Sequence, residues 1–379
     1  MVYIVNVDWY FLLHWQDRAE AAQQCGYSVH ILTASTDPVL AVRIADLGFK
    51  LHEIPLSRRS LNPVREISCV MQLYSLLKDL QPDIVHCVTL KPVVYGGFIA
   101  RWRNIPCLSS VVGLGYAYSK DTVFYRSLWA GLEKLMGFAF AARKTMVSFE
   151  NRHDMELLRS RQVLSGSQAV ILPGAGVDLD RFSWSEEVDD GRTTLKILFA
   201  GRLLKSKGLD QLVAAVESLR RQGKTLELHV AGIVDSDSRD AIPGDELTQW
   251  ISGGIIDWHG QVRDIERLIA DVNLVCLPTR YGEGLPRILV EAGAVGRAVV
   301  ATDMPGCSEF IHSNRDGLLV PAGDLEALES AIGALVDDPD RRRQLATNAR
   351  KKVEQTYSNE HVIAQTLGLY EDLLRNIVP

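Results

Sequence analysis

No stretch of this sequence stays apolar for long enough to cross a bilayer. The longest, residues 128–142, carries Glu133 and Lys134 in its middle and falls short of the roughly 20 residues that a spanning helix needs, so any membrane association would be peripheral. Paired cysteines are missing too. The six present, at 25, 69, 87, 107, 276 and 307, fit neither a disulfide framework nor a C-x-x-C zinc pattern, and several lie inside apolar runs, as reduced core residues of a cytosolic chain do. A basic leader is absent from MVYIVNVDWYFLLHWQ, where Asp8 interrupts the apolar run, so this segment reads as a first strand rather than a signal peptide. Charge of one sign does not dominate either. Residues 1–180 hold 18 Lys/Arg against 16 Asp/Glu and residues 181–379 hold 23 against 31, for a net −6, so no basic stripe marks nucleic acid as a partner. Repeats with a period of 20 to 50 residues are also lacking.

What is present is a soluble globular composition, 47% apolar and 23% charged over 379 residues, which is more than one hydrophobic core accommodates and predicts two domains. Short β-branched runs alternate with helical patterns in both halves, the signature of parallel α/β sheets. In the first half strands are expected at 2–7, 28–33, 50–54, 84–88, 107–112 and 145–149, with helices at 15–25, 40–47, 64–80, 93–102 and 122–142. The loops at 8–14, 86–92 and 113–118 would then converge beyond the strand ends, where such sheets bind ligands. His14 and His86 are candidates there for hydrogen bonding or proton transfer, against the plainer alternative of packed histidines. Glycines and aspartates cluster in LPGAGVDLDRF, and the polar segment 183–192 reads as the inter-domain connection.

The second series runs through strands at 195–200, 226–231, 255–259, 274–277 and 299–302. Its central stretch, LPTRYGEGLPRILVEAGAVGRAVVATD from Leu277 to Asp303, reads as strand, glycine-bearing loop, helix from Pro286 to about Val295, stop at Gly296, strand. Glu283 in the loop and Glu291 in the helix are separated by seven residues, about 12 Å of helical rise, a span suited to gripping two ends of an extended ligand around free helix-start amides. Upstream, the loop GRLLKSKG after the first strand of this half carries Arg202 and Lys207, two cations able to hold a diphosphate. Its spacing is neither a Walker loop nor a dinucleotide fingerprint.

Taken as a set, GRLLKSKG, Gly260 in DWHGQVRDI, the E-x7-E pair in EGLPRILVE and the tail PGCSEFIHSNRDGLLVPAGDLEAL resemble the retaining family 4 glycosyltransferases of GT-B fold. DWYFLLHW, HCVTLKPVVYGG, VVGLGY and GAGVDLDRF are similar to the bacterial members that build O-antigens and capsules on lipid-linked sugars. The resemblance implies an α/β chain of two Rossmann-like domains facing across a cleft: an acceptor-side domain over residues 1–182, a nucleotide-sugar domain over 183–357, and a final helix over 358–379 returning to the first. It implies Arg202 and Lys207 on the donor diphosphate, Glu283 on the transferred sugar and Glu291 on the ribose, with Gly284, Leu285 and Pro286 near sugar and phosphate and Val262 and Arg263 near the base. Acceptor-side candidates are His14, His86, Gly113 and Gly115. Two departures stand out: Asp8-Trp9-Tyr10 replaces the N-terminal glycine pair of many members, and Gly113 stands where a histidine is often found.

The expected activity is transfer of a sugar from a UDP-linked donor to a lipid-linked saccharide, retaining and metal-independent, with the nucleotide sugar as substrate and no cofactor. The chain would work in the cytoplasm or peripherally on the cytoplasmic face of the inner membrane, to which the mixed apolar and basic helix near 124–144 would suit an interface as well as a core. Asp178-Leu179-Asp180 and Asp235-Ser236-Asp237 are read as loop aspartates rather than metal ligands. Rival readings are a UDP-sugar epimerase of the same architecture and a non-catalytic subunit of a polysaccharide assembly complex.

Overall fold

The computed structural model describes the chain except residues 58, 59, 61, 115–121, 165–167, 188–193, 236, 237, 239 and 376–379, and only the backbone of 123–125. In chain order it forms β1 (Val2–Val7), α1 (Asp8–His14), α2 (Gln16–Gln24), β2 (His30–Ala34), α3 (Pro38–Asp46), β3 (Lys50–Glu53), α4 (Pro63–Leu80), β4 (Val85–Val88), α5 (Leu90–Trp102), β5 (Cys107–Val111), α6 (Val123–Phe140), β6 (Thr145–Phe149), α7 (Arg152–Ser160) and β7 (Gln168–Ile171). There follow β8 (Leu195–Ala200), α8 (Leu209–Arg221), β9 (Leu226–Ala231), α9 (Gly244–Ser252), β10 (Asp257–Gly260), α10 (Ile265–Ala270), β11 (Leu274–Leu277), α11 (Arg287–Val295), β12 (Ala298–Thr302), α12 (Cys307–Phe310), β13 (Leu318–Val320), α13 (Leu325–Asp337), α14 (Pro339–Lys352) and α15 (Asn359–Arg375). Helix starts follow the local chemistry: Asp37 and Asn62, each ahead of a proline, accept the Val39 and Val64 amides at 2.9 and 3.0 Å, supplying acceptors the first turn lacks.

Two compact units result. The first comprises Met1–Gly176 with Asn359–Pro379, the second Val177–Ser358. In the first, an all-parallel seven-stranded sheet has the order β3-β2-β1-β4-β5-β6-β7, and in the second a six-stranded parallel sheet has the order β10-β9-β8-β11-β12-β13. Both are doubly wound: the order in which strands are added reverses between β1 and β4 in the first sheet and between β8 and β11 in the second, and the crevice outside the carboxyl ends of those strands is where such sheets bind ligands. Near-continuous buried runs such as VYIVNV, CLSSV and AVVAT reflect sheets covered by helices on both faces.

The division falls after Gly176 rather than after Phe182, because Val177 and Phe182 belong to the second core. In the first unit, α15 packs against α2, β5 and β6. Its Tyr370 hydroxyl bonds Tyr3 on β1 at 2.6 Å and His86 on β4 at 2.7 Å. Three expectations need correction here. Residues 8–14 are a helix, not a loop: Asp8 is buried, with its carboxylate accepting the Thr36 amide and hydroxyl at 2.7 and 2.5 Å, while Phe11 packs edge-on to Tyr3 and Phe49. The 86–92 loop shrinks to Thr89, at φ 73°, between β4 and α5. Finally, α7 and β7 were not expected, although Asn151 caps α7 and Met155 and Leu158 bury one of its faces.

Candidate active site

The site in the second unit grows from two loops that leave β8 and β11, the strands flanking its reversal point. After β8 the chain makes a single 3₁₀ turn at Lys205–Lys207 and stops at Gly208, φ 78°. A Cβ there would lie 2.0 Å from the Pro278 carbonyl oxygen just beyond β11, so only glycine lets the two loops approach this closely. Ser206 is held from the other side by Asp240, which accepts its amide at 3.2 Å and its hydroxyl. Its carbonyl accepts the Arg280 amide at 2.7 Å, and Arg280 pairs with Asp210 at 2.8 Å. These bonds fasten one loop to the other.

The consequence is that Lys207 donates directly to Glu283, two residues separated by 76 positions in the chain. Both side chains are mostly buried, 11% and 14% exposed. Tyr281 sets its ring 5.5 Å from the ammonium. Burial pulls the Lys207 pKa down, yet Glu283 and Tyr281 more than offset it, leaving it above the ordinary lysine value. Burial and Glu283 push the Tyr281 phenol up. At neutral pH the loop thus presents a fixed ammonium, of whose three donors Glu283 takes one.

Glu283 is itself positioned by the turn at Pro305-Gly306. Its amide donates to the Pro305 carbonyl at 3.0 Å, and a Cβ on Gly306, φ 87°, would come within 2.2 Å of the Gly284 carbonyl oxygen. Leu285 packs on the core and Pro286 occupies the cap position of α11 rather than its first turn. Gly296, φ 85°, ends that helix. One turn in, Glu291 is buried, not a solvated helix residue, and accepts from Arg287 Nε at 3.1 Å. Arg202 is half exposed, its Nη1 3.5 Å from Asp235. Val262 leans on the core, and Arg263 offers its carbonyl to Arg181 at 2.9 Å. The structure therefore brings Lys207 and Glu283 into contact and sets Arg202 on the same loop as Lys207. Tyr281, Asp240 and Ser206 were not anticipated. Tyr281 sits two positions from Glu283 and was legible only as part of a polar loop.

In the first unit the expectations fare less well. His86 is fully buried in β4. Its Nδ1 lies 2.7 Å from the Tyr370 hydroxyl and its Nε2 2.7 Å from Ser110 Oγ, which continues to Ser148 at 2.7 Å. Burial, with Arg18 second, pulls its pKa well below the usual imidazole value. It is a core histidine that joins α15 to the sheet, and the proton-transfer role is withdrawn. His14 ends α1, half-buried, its ring 4.4 Å from that of Tyr10. Gly113 follows β5 at φ 122°; Gly115 lies outside the described residues. Asp178 caps the amides of Asp180 and Arg181, and Asp235 faces Arg202 at 3.5 Å; Asp237 lies outside the described residues. Along α6, Trp129, Met136 and Phe140 are buried while Leu135 and Phe138 are exposed. Among the described residues no helix is long and apolar enough to cross a membrane.

Two parallel doubly wound units with a buried cation at the reversal point of the second define a class. The whole chain superposes on sucrose-phosphate synthase from Thermosynechococcus elongatus with a TM-score of 0.79, covering 99% of each chain at 20% identity. This is the GT-B fold of glycosyltransferases. Residues 1–151 match the "Glycosyl transferase 4-like" family and residues 194–338 the "Glycosyl transferases group 1" family. Among curated proteins the chain is 26% identical to N,N'-diacetylbacillosaminyl-diphospho-undecaprenol alpha-1,3-N-acetylgalactosaminyltransferase of Campylobacter jejuni, over 88% of this chain and 89% of that one. It is 21% identical to UDP-Gal:alpha-D-GlcNAc-diphosphoundecaprenol alpha-1,3-galactosyltransferase of Escherichia coli, over 85% and 84%. The chain belongs to the family 4 glycosyltransferases, its first unit in the 4-like family and its second in group 1.

Proposed function

We propose that the chain transfers a sugar from a UDP-linked donor to a saccharide carried on a lipid diphosphate, with retention of anomeric configuration. The observation that carries this reading is the Lys207–Glu283 contact beside Arg202, built at the carboxyl ends of β8 and β11. Cleavage of the donor concentrates negative charge on the leaving diphosphate. A desolvated ammonium held by Glu283, with a guanidinium on the same loop, meets that charge without reorganisation. Removing one such donor costs about 10²–10³ in rate.

In a same-face substitution the bond from the anomeric carbon to the phosphate oxygen breaks as the bond to the acceptor oxygen forms. The acceptor hydroxyl proton passes to the departing phosphate oxygen, so no enzyme nucleophile is required. Glu283, whose backbone is fixed by Pro305, orients the sugar hydroxyls, and Glu291, held by Arg287, receives the ribose. Because cationic side chains neutralise the diphosphate, transfer needs no divalent ion. The acceptor class and UDP are supported by the relatives, which are named for diphospho-undecaprenol acceptors and, in the Escherichia coli case, for UDP-Gal. Those relatives are transferases, which disfavours the epimerase reading. Action on such acceptors implies a peripheral position at the cytoplasmic face of a membrane. Incubation with UDP-sugars and extracted lipid-linked saccharides tests the proposal: transfer that survives chelation and drops at least about 100-fold in Lys207→Ala supports it. Turnover of the donor without an acceptor would favour the epimerase instead.

A further inference from the structure

The second sheet ends in β10, an edge strand paired in parallel with β9. On β9 the sequence reads Glu227-Leu228-His229, and on β10 Asp257-Trp258-His259. Because side chains alternate along a strand, Glu227 and His229 share one face; on β10 the register slips between Trp258 and Gly260, and the extra residue, His259, still sets its ring against His229. The register sets Asp257 directly against His229. Four polar side chains therefore meet on one surface of two neighbouring strands.

Three of their atoms converge. His229 Nδ1 lies 3.0 Å from His259 Nε2 and 3.4 Å from Asp257 Oδ2, and His259 Nε2 lies 3.5 Å from that same oxygen. A circle through three points so spaced has a radius of about 1.9 Å, so an ion seated just off their plane would be about 2.0–2.1 Å from all three, the distance of zinc to imidazole nitrogen and carboxylate oxygen. The remaining nitrogen of His229, Nε2, is buried without a hydrogen bond and has Glu227 Oε2 3.5 Å away, close enough for a small side-chain shift to make the contact. A carboxylate behind a ligating imidazole fixes its tautomer and strengthens it as a ligand.

We propose that His229, Asp257 and His259 bind a divalent transition-metal ion of the zinc class, with Glu227 supporting His229 and water completing the coordination. The ion staples β10 to β9 and steadies the segment that leaves β10 at Gly260; it takes no part in sugar transfer. Cysteine spacing and paired aspartates, the signals that argued against a metal, do not report on histidines brought together by strand pairing. The first sheet supplies an internal control. There His30 and His52 stack with the same 3.0 Å nitrogen contact on β2 and β3, but the residue in register with His30 is Lys50, not an aspartate. That pair offers two imidazoles beside a cation and should bind no ion tightly.

The test is titration of the full-length, tag-free protein with Zn²⁺ by calorimetry, alongside Co²⁺ absorption spectra. One equivalent binding tightly, with a tetrahedral-type Co²⁺ spectrum, is expected. His259→Ala and Asp257→Asn, both at exposed edge positions, should weaken binding at least about 10- to 100-fold, while His52→Ala should not. Zn²⁺ should also raise the melting temperature of the wild type and not of His259→Ala. Binding weaker than millimolar, or binding that His259→Ala leaves unchanged, overturns the site. Loss of transferase activity upon chelation, at temperatures where the fold persists, overturns its assignment as structural only.

Discussion

Replacing Lys207 by methionine removes the ammonium while keeping an unbranched stem as long as lysine's four carbons, and leaves the Glu283 carboxylate in a pocket where each partner is little exposed. An exposed ion pair contributes about 0–1 kcal/mol, whereas removing one member of a buried pair costs about 3–5 kcal/mol because the other charge is stranded. Since a tenth or so of each side chain still reaches solvent, Lys207→Met should lose about 2–3 kcal/mol. Glu283→Gln should lose less, because the amide can still accept from the ammonium. The double variant should recover part of the loss, giving a coupling energy of about 2 kcal/mol. Urea unfolding followed by the fluorescence of Trp250 and Trp258, both in the second unit, measures all four corners. The pH dependence supplies a second reading. Lys207 has its folded-state pKa raised, so its stabilisation is complete below the unfolded value of about 10.4 and is lost as pH climbs through the folded value; the gap between wild type and Lys207→Met should close there. Coupling below about 0.5 kcal/mol would mean the pair behaves as a surface contact, and the reasoning about a preorganised site would fail.

Other consequences are independent of that pair. His86 is buried and neutral, with its pKa depressed in the fold, so the unfolded state binds a proton the folded state does not. Stability should fall as pH drops below about 6.5, by up to about 1.4 kcal/mol per unit; acid titration of the melting temperature, with Tyr370→Phe lowering the starting point, checks this. Gly208→Ala sets a Cβ against the Pro278 carbonyl at positive φ and should cost at least about 2 kcal/mol along with donor affinity, read by thermal melts and UDP binding. Glu291→Gln should weaken UDP binding about tenfold, near 1.4 kcal/mol, with kcat little changed; an unchanged Kd would remove Glu291 from the ribose.

The second unit was the more legible half of the sequence because its chemistry is carried in short loops whose charged residues have one plausible destination. Gly-Arg-x-x-Lys-x-Lys-Gly after a strand and Gly-Glu-Gly before a helix point to strand ends whatever the exact register. That Lys207 and Glu283 touch was not legible, since contact depends on Gly208 admitting the Pro278 carbonyl, a long-range approach that composition does not encode. The first unit misled for a related reason. His86 lies beside a strand end in the sequence, but α15, nearly 300 residues later, delivers Tyr370 to cover it. Asp8-Trp9-Tyr10 looked like a loop because three large side chains after a strand carry no helical period, yet Asp8 is satisfied by Thr36 and the helix begins at once. The histidine–aspartate cluster on β9 and β10 escaped notice because its members alternate on two strands, and only pairing puts them together.

The central claim is that Lys207, Glu283 and Arg202 hold a nucleotide-sugar donor for retaining transfer. The most direct measurement is NMR of the glycosidic linkage formed when the wild-type protein and Glu283→Gln are given α-linked UDP-sugars and a diphospho-undecaprenol-linked saccharide. An α-linked product from the wild type, formed at least about 100-fold more slowly by the variant, is the predicted result. A β-linked product, or equal rates for the two proteins, would contradict it.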